Sequence, residues 1–162
     1  MKVMALVFLV VTCFLAGCER AGTPSTGGDK ASATADQVPA DAERSRSPES
    51  IIGRNWQWVR TITPVERVDA NDPARYTLLL GADGRAAIRF DCNMGGGDYE
   101  IGEGKLTFGP MLSTRMACPP DSQDGQFMSQ LQQVTAFFVD DGSLFLEMPY
   151  DSGTMRFERV AE

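Results

Sequence analysis

The sequence predicts a mostly β domain (α+β): a curved antiparallel sheet or half-barrel with a single packed helix. Three observations carry this expectation. Ala86, Ile88, Phe90 and Cys92 fall on one face of a run whose other face holds Arg85, Arg89 and Asp91, the period-two pattern of a half-buried antiparallel strand. Turn signals separate several such runs, among them GADG at 81–84 and Asp141-Gly142 between AFFVD and SLFLE. One stretch alone switches to helical spacing, with Phe127, Leu131 and Val134 at i, i+4 and i+7.

Taken in order, NWQWV places Trp56 and Trp58 on one strand face, and YTLLL alternates Tyr76, Leu78 and Leu80. The run ending at Cys92 follows. DYEI and KLTFG flank a turn at Gly102-Glu103-Gly104. After Cys118-Pro119-Pro120, Asp121 is the expected N-cap of the helix, with Asp124 in its first turn. The apolar stripe of that helix should pack on the sheet as core. A hairpin turning at Asp141-Gly142 comes next, and Asp151-Ser152-Gly153 then turns the chain into TMRFERV.

Upstream of this domain the composition changes twice. Lys2 and the apolar run Val3 to Leu15 have the layout of an export signal, and the run is shorter than the ~20 residues a spanning helix needs. It ends in Leu15-Ala16-Gly17-Cys18, which resembles the lipobox of bacterial lipoproteins; Cys13 follows Val11 and Thr12 and fits poorly. The resemblance implies cleavage before Cys18, diacylglycerol on its thiol, and durable anchoring by several acyl chains. Glu19 stands where an Asp would signal inner-membrane retention, so the expected location is the outer membrane, with the domain facing the periplasm. From Glu19 to Ser50 the only large aliphatic residue is Val38, too little apolar surface to offset the entropy of ordering. The expected organisation is a signal peptide at 1–17, lipidated Cys18 and a disordered tether at 18–50, and one folded domain at 51–162. A coil of that length would span roughly 30 Å.

The domain sets 10 Lys and Arg against 16 Asp and Glu, and no basic cluster appears. Nucleic acid is therefore an unsuitable partner, because phosphate contacts need Lys and Arg. The glycine run in RFDCNMGGGDYE, residues 89–100, is no phosphate loop: Asp98 and Tyr99 follow it where Lys-Ser/Thr and a helix should. The chain has no histidine, so neither a zinc site nor a His-activated nucleophile at Cys92 or Ser113 can be assembled in the usual way. No D-x-D-x-D-G spacing suggests calcium. Asp140-Asp141 is the obvious carboxylate pair, and its place in a hairpin turn suits solvated charges. No catalytic residue, metal site or cofactor is expected.

With Cys13 removed and Cys18 lipidated, Cys92 and Cys118 remain for an oxidising compartment. A disulfide between them is the favoured reading, worth about 3.5 kcal/mol on the chain-entropy model; two separately buried thiols are the alternative. The glycines at 95–97 then read as a turn needing positive φ or close backbone approach.

The order of motifs is similar to that of the META domain, also called HslJ-like. It comprises W-Q-W at 56–58, a strand ending F-D-C-N at 90–93 before glycines, and G-D-Y at 97–99. K-L-T-F-G-P at 105–110, S-T-R-M-A-C-P at 113–119, the helix, and closing L-F-L and M-R-F runs complete it. The similarity spans roughly 52–160, with Asp91 standing where the family has Gly. It implies the fold, and an association with heat and drug stress rather than a defined reaction. The expected role is a non-catalytic envelope lipoprotein that binds an envelope protein or a small apolar ligand, with Trp56 and Trp58 as candidate groove liners. The alternatives are a periplasmic inhibitor or chaperone-like binder of exported proteins, and a carboxylate-dependent hydrolase.

Overall fold

The computed structural model describes residues 44–161; the expected signal peptide, Cys18 and the tether up to residue 43 lie outside them. Ten strands form in chain order: β1 (Asn55–Ile62), β2 (Arg67–Asp69), β3 (Tyr76–Leu80), β4 (Arg85–Phe90) and β5 (Asn93–Gly102), then β6 (Lys105–Phe108), β7 (Leu112–Ser113), β8 (Ala136–Asp140), β9 (Ser143–Glu147) and β10 (Thr154–Arg159). The helix α1 (Asp124–Leu131) separates β7 from β8.

The sheet is a closed antiparallel barrel, a step beyond the expected curved sheet or half-barrel. Its wall runs β1-β3-β4-β5-β6-β8-β9-β10, and β10 returns to β1 with Trp56 opposite Arg159 and Ile62 opposite Thr154. Closure is possible because β1 is long and bulged between Trp58 and Arg60. It pairs with β3 through Asn55–Gln57 and with β2 through Arg60–Ile62, while its other edge takes β10. Closing the ring removes free edges that would otherwise invite pairing with another chain.

The thinnest seam lies between β6 and β8, which share one residue pair, Lys105 with Ala136. The residues just before the expected domain start cover it. Ser45 exchanges main-chain bonds with Val139 (2.8 and 2.7 Å), and Arg46 O accepts from Gly104 N. The Arg44 guanidinium lies 4.4 Å over the Phe138 ring, itself stacked on Phe145. The ordered domain thus begins at least seven residues before Ile51. Composition hid this because main-chain hydrogen bonds, which any sequence can make, hold the segment in place. A 3₁₀ turn at Pro48–Ser50 then delivers Ile51, fully buried, whose carbonyl accepts from Trp56 Nε1 at 3.1 Å.

The alternating apolar faces all point inward. Trp58, Tyr76, Phe127 and Phe157 interlock, with ring centroids 5.4–6.2 Å apart. Trp56 and Trp58 are 2 % and 0 % exposed, so they fill the barrel and line no groove. Phe127, Leu131 and Val134 are buried as their spacing predicts, and α1 lays its apolar stripe on the barrel core. Asp121 does not cap the helix, because a turn closed by Ser122 N to Pro119 O displaces it, and Gln123 takes the N-cap position without a side-chain bond.

Candidate functional site

The distinctive chemistry gathers where β4 turns into β5. Phe90 pairs with Asn93, so Asp91 and Cys92 form a two-residue turn. Asp91 has φ 63°, the left-handed region that an Asx side chain tolerates where Gly would be easiest. It was expected on the solvent face of the strand; instead the turn carries it inward, 6 % exposed. Its amide donates to Arg75 O (2.7 Å), and its Oδ1 accepts from Arg75 Nε (2.6 Å) and Nη2. Burial alone pushes the Asp91 carboxyl up, but the Ser122 hydroxyl and the Arg75 guanidinium, with the charge of Arg89, outweigh it and hold it below the usual carboxylate range.

Cys92 also leaves the strand face on which it was expected. It is half-buried in the turn and bonded to Cys118, with the two Cα atoms 5.5 Å apart. The disulfide therefore clamps the turn to the chain segment that enters α1.

Gly95, Gly96 and Gly97 lie inside β5, so they form no turn and none has positive φ. Close approach is what they provide. A Cβ on Gly95 would stand 2.5 Å from Leu112 O, one on Gly97 would stand 2.6 Å from Pro110 O, and one on Gly96 would strike Ala86 O. The absence of side chains lets the 110–113 segment and β4 both press onto β5, and β7 forms as a lip there.

Asn93, 3 % exposed, holds that lip from beneath. Its Oδ1 accepts from Met116 N (2.8 Å) and the Thr114 hydroxyl (2.9 Å). Its Nδ2 faces Met116 O (3.2 Å), Cys118 Sγ (3.1 Å) and Asp124 Oδ2 (3.4 Å). Every hydrogen-bonding position of this carboxamide is engaged, which makes it a structural hub.

Between the lip and α1 opens a cleft of about 560 Å³. Phe90 and Asn93 contribute to its lining along with Met111, Met116 and Met128, while Arg115, Asp124 and Gln132 supply polar groups. Met116 and the neighbouring Leu112 are 60 % and 83 % exposed. Among the described residues Arg115 makes no salt bridge, and no three metal-ligating side chains come together. Three methionines give an apolar wall that can reshape around different partners.

The structure thus brings together Cys92 and Cys118 beside the cleft, and leaves Trp56 and Trp58 in the core. Arg75, the hub role of Asn93 and the methionine wall emerge only in the folded protein. The C-N pair before glycines was a visible signal for Asn93; the methionines, at positions 111, 116 and 128, share no period that could have revealed them.

Comparison with known proteins bears on the fold. The profile of the META domain family matches residues 49–162. No curated protein sequence matches the chain. The NMR structure of a protein from Burkholderia xenovorans is similar at TM-score 0.60 and 19 % identity, over 89 % of this chain and 99 % of that one. The crystal structure of a DUF4847 family protein from Bacteroides vulgatus ATCC 8482 is similar at TM-score 0.53 and 13 % identity, over 70 % and 97 %. At such identities the likeness is one of fold.

Proposed function

The chain belongs to the META domain family, and from that premise we propose that it is a non-catalytic binding module with an envelope stress-tolerance role. It is held at the outer membrane by lipid on Cys18 and faces the periplasm. The observation that carries the binding role is the methionine-walled cleft, whose one buried polar floor group, Asn93, is already saturated by the lip. A saturated carboxamide positions structure and leaves the apolar wall to meet a ligand. The hydrolase alternative draws less support. Asp140 lies 3.7 Å from Arg44 across the covered seam, and Asp141 occupies the tight turn between β8 and β9.

A photo-crosslinking residue at Met116 of the full-length protein should capture an adduct in intact cells, whereas one at Glu100 should not. Equal labelling, or none at Met116, would remove the cleft from this reading. For the anchor, Cys18→Ser should abolish acyl mass and shift the protein out of the membrane fraction. Unchanged fractionation with retained acyl mass would refute the lipid assignment.

A further inference from the structure

Resting on the cleft as a binding site, we propose that its ligand is an extended, apolar peptide segment carrying an acidic residue, added as a strand to the free edge of β7. Gly95 faces Ser113 and Gly96 faces Leu112, while Thr114 N donates to Met94 O at 2.9 Å. Thr114 and Leu112 therefore turn their main-chain groups toward β5. By strict alternation, Ser113 and Arg115 turn theirs the other way.

Those outward groups find no main-chain partner among the described residues. The residues that carry them also border the cleft: Ser113 and Arg115 line it from one side while Asp124, Met128 and Gln132 of α1 and its C-terminal turn line it from the other. A groove between a strand edge and a helix is the geometry in which an added strand gains main-chain bonds on one side and side-chain pockets on the other. The edge selects an extended peptide over a compact apolar molecule, because only a peptide offers alternating donors and acceptors at strand spacing. The methionine wall selects apolar side chains on the inward face. The Arg115 cation, which meets no carboxylate among the described residues, complements an acidic residue in the ligand.

Register also supplies the controls. Ser113 and Arg115 do not use their amides toward β5, so Pro at either position should leave the barrel intact while blocking the edge. The test uses the full-length protein in detergent with a capped hexapeptide of alternating valine and leucine, flanked by glutamates. Its analogue N-methylated at every second residue keeps the side chains and lacks the edge-facing donors. The uncharged fluorophore N-phenyl-1-naphthylamine, read against a detergent blank, reports the cleft itself.

The expected result is saturable peptide binding that displaces the fluorophore, at least tenfold weaker for the N-methylated analogue. Ser113→Pro and Arg115→Pro should lose peptide binding with unchanged unfolding midpoints, so that the loss reflects the edge and not the barrel. Equal affinity of the two peptides, or fluorophore binding without peptide binding, overturns strand addition and leaves a cleft for small apolar molecules. Failure of both probes overturns strand addition and the binding role together.

Discussion

Asp91 shows how one residue can carry both a backbone conformation and a charge. At φ 63° it sits where a β-branched or bulky residue would be strained, and its carboxylate closes a largely buried ion pair with Arg75. Asp91→Asn keeps the size and tolerates the same backbone, so it removes only the charge. Loss of the pair should lower stability at pH 7 by about 2 kcal/mol, measured by denaturant unfolding. The native carboxyl is held below its ordinary value, so its contribution is complete above pH ~4 and disappears as pH falls through the depressed native value. The parent and the variant should therefore converge in strong acid. A constant gap across that range would show that the pair is not what the substitution removed.

At the scale of elements, the lip from Pro110 to Cys118 has few means of support. It rests on bare glycines, hangs on the Asn93 carboxamide and ends in the disulfide to Cys92. Cys92→Ala should cost about 3.5 kcal/mol under oxidising conditions, and adding Cys118→Ala should cost little more. Independent, additive losses would mean that the bond is not the source. Because the disulfide is only half-buried, a soluble dithiol should reach it in the native protein. Amide exchange should then quicken at 112–118 and stay slow in β1 and β3, since local opening follows the weakest supports.

The whole molecule depends on closure. Seven of the eight seams in the wall are strand ladders, and the exception, between β6 and β8, is completed by Ser45 and covered by Arg44. A chain starting at Ile51 should therefore be less stable than one starting at Arg44 by about 2–3 kcal/mol, from three main-chain bonds and one cation–π contact. Equal thermal midpoints for the two chains would show that the segment merely lies against the barrel.

The sequence by itself determined the long alternating strands, their inward faces and the helix stripe, because alternation and helical spacing are local records of which side each residue buries; the short β2 and β7 and the glycine stretch of β5 carry no such record. It also pointed to the disulfide that joins Cys92 to Cys118, because the expected signal peptide and lipobox would account for Cys13 and Cys18. Tertiary structure alone decided that the sheet closes, that Asp91 turns inward to Arg75, and that Gly95–Gly97 let the 110–113 segment press onto β5. Each of these joins residues distant along the chain: β1 meets β10, Arg75 meets the turn at 91, and Leu112 O meets Gly95. Pairings of that kind are set by the geometry of the folded ring and leave no period in the chain. The cleft is their product, formed where the lip, the turn and α1 converge.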